Sequence, residues 1–193
     1  VMVPNATFGT FGEYAPAQLV SEWIDIAATL SEIAGSVVVM PHDLRAKPGD
    51  VRLADEIASA CSARGLAVQE FVPSSAGEAK DVIGSASGIV SARLHACIGA
   101  LSQGVPVVGI EYFGKFRGVF ELLGSGGAVL PLESLSDPEL IGCALLVQQR
   151  ASLEEEAGRG AVGVDDIRWM EPDLVSRAVM AGGSDHGAAV SAA

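Results

Sequence analysis

Short apolar runs, rich in β-branched residues and spaced by helix-length amphipathic segments, constrain this chain more than any other feature. The pattern is plainest over 88–110. Gly88-Ile89-Val90 runs into Arg93-Leu94-His95, an amphipathic stretch follows to Gln103, Gly104 ends it, and Val105 starts a second apolar run. Strands are predicted at 1–3, 36–40, 66–72, 88–90, 105–110 and 128–130. Helices are predicted at 15–34, 51–64, about 76–85, 93–103, 116–123 and 138–156. Strands that read as continuous apolar runs are covered on both faces, and helices between them supply right-handed crossovers. The expected fold class is therefore α/β, a Rossmann-like parallel sheet with helices on both faces.

Local signals set the element ends. Pro16 lies near the first turn of the helix at 15–34 and Gly35 just past its end, while Leu19, Val20, Trp23, Ala27, Leu30 and Ile33 repeat at helical spacing. Asp50, Ser74 or Ser75, and Asp137 are read as helix caps. Residues 5–14 and 41–49 are read as loops. The expected organisation is one domain over 1–157, a helical appendage at 158–181 beyond the glycine-rich hinge at 158–163, and a small, polar, disordered tail at 182–193 that holds His186.

Composition excludes several functions. The formal net charge is -12, which argues against a nucleic-acid binder or a polybasic membrane-docking protein. No apolar run is long enough for a transmembrane segment. The opening VMVPNATFG lacks the charged and apolar regions of a signal peptide and resembles a strand entered mid-chain, so a longer protein with a preceding domain is expected. Cys61, Cys97 and Cys143 are odd in number, scattered and in predicted helices. They read as buried reduced thiols rather than a disulfide or metal site, which fits a cytoplasmic protein, free or peripheral at the membrane's inner face.

In an open parallel sheet, ligands gather at the carboxyl ends of the strands, and anions at helix N-termini. Several chemistry-bearing residues fall there. His95 opens a helix after the strand at 88–90, with a caps-or-packs role as its alternative. Arg93 offers a planar fork for a carboxylate or phosphate, or else a surface ion pair. His42 follows the strand at 36–40 and can share the rim with His95. Lys115 sits where a helix begins, and Arg117 follows it; a solvated charge pair is the alternative. Glu111 can bind a sugar hydroxyl, act as a base, or pair with Arg93 or Lys115. Ser74 and Ser75 are caps that can also touch a ligand. The chain has no Cys-x-x-Cys pair, His-Glu-x-x-His, G-x-S-x-G or GxGxxG motif, and 124–127 lacks the lysine of a P-loop. No metal and no cofactor are expected.

The segment VIGSASGIVSARLHACIGALSQGVPVVGIEYFGKFRG, with PHD upstream, resembles the C-terminal half of the polysaccharide pyruvyl transferase family. A strand leads into Arg93-Leu94-His95, a helix follows, then a Gly-Val-Pro-Val-Val strand from Gly104, then a loop with Lys115. The likeness is good over 36–124 and looser over the first helix. It implies one domain of a GT-B-like two-domain fold and a transferase that moves a pyruvyl group from phosphoenolpyruvate to a sugar hydroxyl as a ketal, in exopolysaccharide or cell-envelope biosynthesis. Phosphoenolpyruvate is then the small anionic donor substrate, and a glycan or lipid-linked sugar the acceptor. By the same likeness Arg93 clamps the anion, Leu94 lines the substrate, His95 supplies the acid or a phosphate contact, Lys115 adds a second cation, and His42 lines the pocket. A homo-oligomer is compatible with this reading.

Two rivals remain at this point. ALSQGVPVV also suits the donor domain of a GT-B nucleotide-sugar glycosyltransferase, with Glu121 as a ribose partner. A lone Rossmann-like domain also suits a non-catalytic binding module that pairs through an apolar face.

Overall fold

The computed structural model describes residues 1–10, 14–46, 49–123 and 127–157. The expected appendage at 158–181 and tail at 182–193 lie outside them. The described residues form β1 (Met2–Val3), α1 (Thr7–Thr10), α2 (Pro16–Ala34), β2 (Val37–Val39), α3 (Val51–Ala63), β3 (Val68–Glu70) and α4 (Ala76–Gly84). There follow β4 (Ile89–Ser91), α5 (Leu94–Leu101), β5 (Val107–Glu111), α6 (Lys115–Leu122), β6 (Ala128–Pro131), a 3-10 turn (Leu132–Ser136) and α7 (Pro138–Ala157).

The six strands make one sheet in the order β3-β2-β1-β4-β5-β6, and every neighbouring pair is parallel. This is the Rossmann-like arrangement expected from the alternation of runs. The chain builds outward from β1 to β3, then returns to lay β4 beside β1. The direction of winding reverses between β1 and β4, and in open parallel sheets ligands bind outside the strands' carboxyl ends at such a reversal.

Two apolar layers sandwich the sheet because successive strand residues face opposite sides. Met2, Val90, Val108 and Ile110 pack with α2, α3 and α7 around Trp23, Ile57 and Ile141. Val3, Ile89, Val107 and Val129 pack on the other side with α4, α5 and α6, around Ile83, Cys97, Phe116 and Phe120. Gly109 faces α6; a Cβ there would lie 2.8 Å from Phe116 Cδ1, so glycine is what lets the two phenylalanines rest on β5. On the opposite side α2 and α7 approach at Gly142, where a Cβ would come within 2.8 Å of Thr29 Cγ2.

The element ends follow their caps. Pro16 starts α2, and Gly35, at φ 75°, ends it by donating its N–H to Ser31 O at 2.9 Å. Asp137 Oδ1 accepts the Leu140 N–H at 3.0 Å and starts α7. Two expectations need correction. Residues 5–14 are not all loop: Asn5 Oδ1 accepts the Thr7 N–H at 3.0 Å and starts the helical turn α1. Asp50 precedes α3 but makes no capping bond to it. No helix among the described residues is long and apolar enough to cross a membrane. Cys61, Cys97 and Cys143 are buried free thiols, and burial pushes the Cys97 thiol up to about 12.

Candidate active site

The loops after β1, β2 and β4 meet at the reversal point. At the end of β4 the chain turns sharply. Buried Ser91 accepts the Arg93 N–H through Oγ at 3.0 Å and donates the same hydroxyl to Arg93 O at 3.1 Å. Arg93 is therefore extended (φ -117°, ψ 113°) at the start of α5, and His95 lies in the first turn, exposed to solvent. After β2, Met40 and Pro41 are buried and bring half-buried His42 to the same rim. The His42 and His95 rings lie nearly parallel, 10° apart in plane and 6.2 Å between centroids. Two histidines from separate strands thus face each other across the rim.

Asp50 joins these loops. Its carboxylate is wholly buried and accepts four hydrogen bonds. Oδ1 takes the Ala6 N–H at 2.9 Å and Arg93 Nη2 at 2.5 Å; Oδ2 takes the Asp43 N–H at 2.9 Å and Arg93 Nε at 2.9 Å. Burying a carboxylate costs several kcal/mol unless it is paired and its remaining lone pairs are satisfied, and here they are. Gly49, just before Asp50, lies so close to the Arg45 carbonyl that any Cβ there would collide with it. Asp43, 4.0 Å from Arg93 Nη2, is held mainly by Arg45, whose hydrogen bonds keep its carboxyl well below the usual carboxylate range. Burial, and then the Arg93 charge, lower His42 below the usual imidazole range; His95 adds to this, while Asp50 and Asp43 oppose it.

Asn5, also fully buried, ties the first loop to the third by donating Nδ2 to Ala92 O at 3.1 Å. Beyond it, Phe8 of α1 meets Tyr112 edge-on at 5.0 Å. Asn5 and Asp50 are the residues of the candidate site that sequence reasoning missed. Asp50 stood at a helix start, where an acid reads as a cap, and Asn5 stood in a segment read as loop.

The other candidates lie apart or are differently engaged. Ser74 and Ser75 follow β3, at the sheet edge and two strands from β1. Ser75 Oγ accepts the Glu78 N–H at 3.1 Å, and the Glu78 carboxylate accepts the Ser74 N–H and hydroxyl at 2.6 Å each, so both serines build the start of α4. Leu94 is half-buried against the α4–α6 layer. Glu111 pairs with neither Arg93 nor Lys115: its Oε2 accepts the N–H groups of Phe116 at 2.7 Å and Arg117 at 3.2 Å, at the start of α6. Lys115 and Arg117 are exposed and make no ion pair among the described residues. Between Glu111 and Lys115 lies a backbone rarely used by side-chain-bearing residues: exposed Phe113 has φ 68°, and Gly114 follows at φ 66°. No cluster of three or more metal-ligating side chains occurs among the described residues.

Arg93, His95 and His42 are thus brought together at the reversal point, where a cation and two imidazoles can meet an anion and move protons. A family model described as polysaccharide pyruvyl transferase matches residues 12–113, just over half of the chain. The matched span holds His42, Asp50, Arg93, His95 and Glu111 and stops two residues short of Lys115. No curated protein and no solved structure matches the chain.

Proposed function

Since this chain belongs to the polysaccharide pyruvyl transferase family, we propose that it carries the donor site of a reaction moving a pyruvyl group from phosphoenolpyruvate onto a sugar of a glycan. Two sugar hydroxyl oxygens bond to the donor's central carbon, and the phosphate leaves that carbon. One hydroxyl proton is balanced by the proton delivered to the methylene carbon, which becomes a methyl group, and the other departs with phosphate. The product is a pyruvate ketal.

The observation that carries this reading is the grouping of Arg93 with the facing pair His42 and His95 at the carboxyl ends of β2 and β4. Phosphoenolpyruvate presents a carboxylate and a phosphate, and Arg93 suits either. His95, open to solvent on the rim, serves as proton donor or phosphate contact. Burial and Arg93 lower His42 below the usual imidazole range, and its neutral imidazole would accept a hydroxyl proton. Lys115, exposed and without an ion pair among the described residues, supplies a second cation. The acceptor is a glycan or lipid-linked sugar.

Thermal shift of this chain with phosphoenolpyruvate tests the reading, with phosphate and a nucleotide sugar as controls. A ligand specific to the folded state adds about 2.7 kcal/mol of stability at a hundredfold excess over its dissociation constant. A selective rise with phosphoenolpyruvate, lost in Arg93→Ala, is expected. A rise with the nucleotide sugar alone would replace this reading with glycosyl transfer, and full transferase activity in His95→Ala would remove His95 from the chemistry.

A further inference from the structure

Asp50 does more than fill a buried position. Its two oxygens grip Arg93 by one edge, through Nε at 2.9 Å and Nη2 at 2.5 Å. A guanidinium has a second edge, formed by Nη1 and the other Nη2 proton. Nη1 has no partner among the described residues. The Arg93 side chain keeps 17% of its exposure, whereas that of Asp50 keeps none. The carboxylate is therefore sealed behind the arginine, and Nη1 is the guanidinium nitrogen left for a ligand, with the Asp43 carboxylate 4.0 Å from Nη2.

The same carboxylate reaches both histidine loops. It takes the N–H of Asp43, the residue after His42, and it holds the side chain of Arg93, two residues before His95. It also takes the N–H of Ala6 after β1. One buried group thus bridges the carboxyl ends of three adjacent strands, β2, β1 and β4. A helix cap would not need these partners, and Asp50 makes no capping bond.

We propose that Asp50 is a positioning residue for pyruvyl transfer: it holds Arg93 by its Nε–Nη2 edge so that the donor's anionic group is met by Nη1, and it sets the spacing of the His42–His95 pair. This inference rests on the donor reading given above. Asp50 touches no substrate and acts through Arg93 and the two loops. Donor binding leaves the Asp50–Arg93 contact in place, so the anion adds to the pair instead of replacing one member.

The test uses the whole chain labelled with nitrogen-15. The Arg93 Nε–H resonance is assigned by its disappearance in Arg93→Lys. On saturation with phosphoenolpyruvate it should stay in place while the Nη signals move. Asp50→Asn should weaken phosphoenolpyruvate binding by roughly 10- to 100-fold, the cost of a misplaced contact group. Combining Asp50→Asn with Arg93→Lys should lose no more than about twofold beyond Arg93→Lys alone, because both changes break one unit. Movement of the Nε–H resonance on binding, unchanged affinity in Asp50→Asn, or losses that multiply in the double variant would each overturn the inference while the donor reading stands. No response to phosphoenolpyruvate anywhere in the unmodified chain would overturn the donor reading and this inference with it. The resonance measurement requires no Asp50 variant, so it decides the matter even where Asp50→Asn does not fold.

Discussion

Replacing Glu111 with alanine separates two roles that a carboxylate at a strand end can play. In the structure Oε2 accepts two backbone N–H groups, from Phe116 at 2.7 Å and Arg117 at 3.2 Å, in the first turn of α6. These are donors that a helix cannot satisfy internally. Removing a side-chain cap costs about 0.5–2 kcal/mol, and the favourable placement of a negative charge at a helix start adds about 0.3–1 kcal/mol. Glu111 is half-buried, so water replaces part of both terms, and a net loss of about 1–2 kcal/mol is expected. For a chain of this size each kcal/mol shifts the melting temperature by about 2–4 °C, so Glu111→Ala should melt about 2–8 °C lower. Glu111→Gln keeps an acceptor oxygen and should recover about half of the loss. Activity measured well below the melting transition should fall less than about tenfold, since general acid–base groups are worth about a hundredfold or more. A fall beyond a hundredfold in both variants with an unchanged melting temperature would refute the capping account and make Glu111 a participant in the chemistry.

Two further outcomes test the fold and its charge balance. Gly109→Ala places a methyl group 2.8 Å from Phe116 Cδ1 and 3.2 Å from Phe120 Cζ, both on buried rings. Overpacking of this kind costs about 1–3 kcal/mol. The matching control, Gly118→Ala on the exposed side of α6, meets nothing within 4 Å and should gain about 0.5–1 kcal/mol; calorimetry showing equal melting temperatures for the two variants would contradict the assigned faces of α6. His42 is held below the ordinary value of 6.5 by burial and by Arg93. Between its folded value and 6.5 the unfolded chain binds more protons there, so stability falls as pH drops through that window and levels off below it. Urea midpoints measured from about pH 7.5 to about pH 5.5 should fall more steeply for the unmodified chain than for His42→Asn; parallel curves would mean that His42 titrates normally.

The layers were legible in the sequence because they rest on short-range periodicity. Runs such as Val37-Val38-Val39 and Val107-Val108, with glycine stops at 35 and 104, identify strands and helix ends without knowledge of any partner. Candidate residues at strand ends were legible for the same reason: parallel topology alone sends 42, 93 and 95 to one rim. The partners of those residues were not. Asp50 and Arg93 are 43 positions apart, and nothing local distinguishes an acid that caps its own helix from one that turns back to bind an arginine. The turn at Asn5 was missed because four helical residues carry too little periodicity to be seen. Lys115 shows the converse. Its position at a helix start suggested an anion site, yet the N–H groups beside it are already taken by Glu111, and a helix start whose donors are engaged by its own carboxylate offers an anion only the lysine's charge. Arg93 is the opposite case, a cation anchored on one edge by Asp50, with Nη1 left without a partner among the described residues. Any donor anion is therefore expected to register on Arg93 first and on Lys115 only as a flexible second contact, so Arg93→Ala should weaken binding far more than Lys115→Ala. Equal losses in a titration of phosphoenolpyruvate would mean that Lys115 is as firmly placed as Arg93, contrary to what its partners indicate.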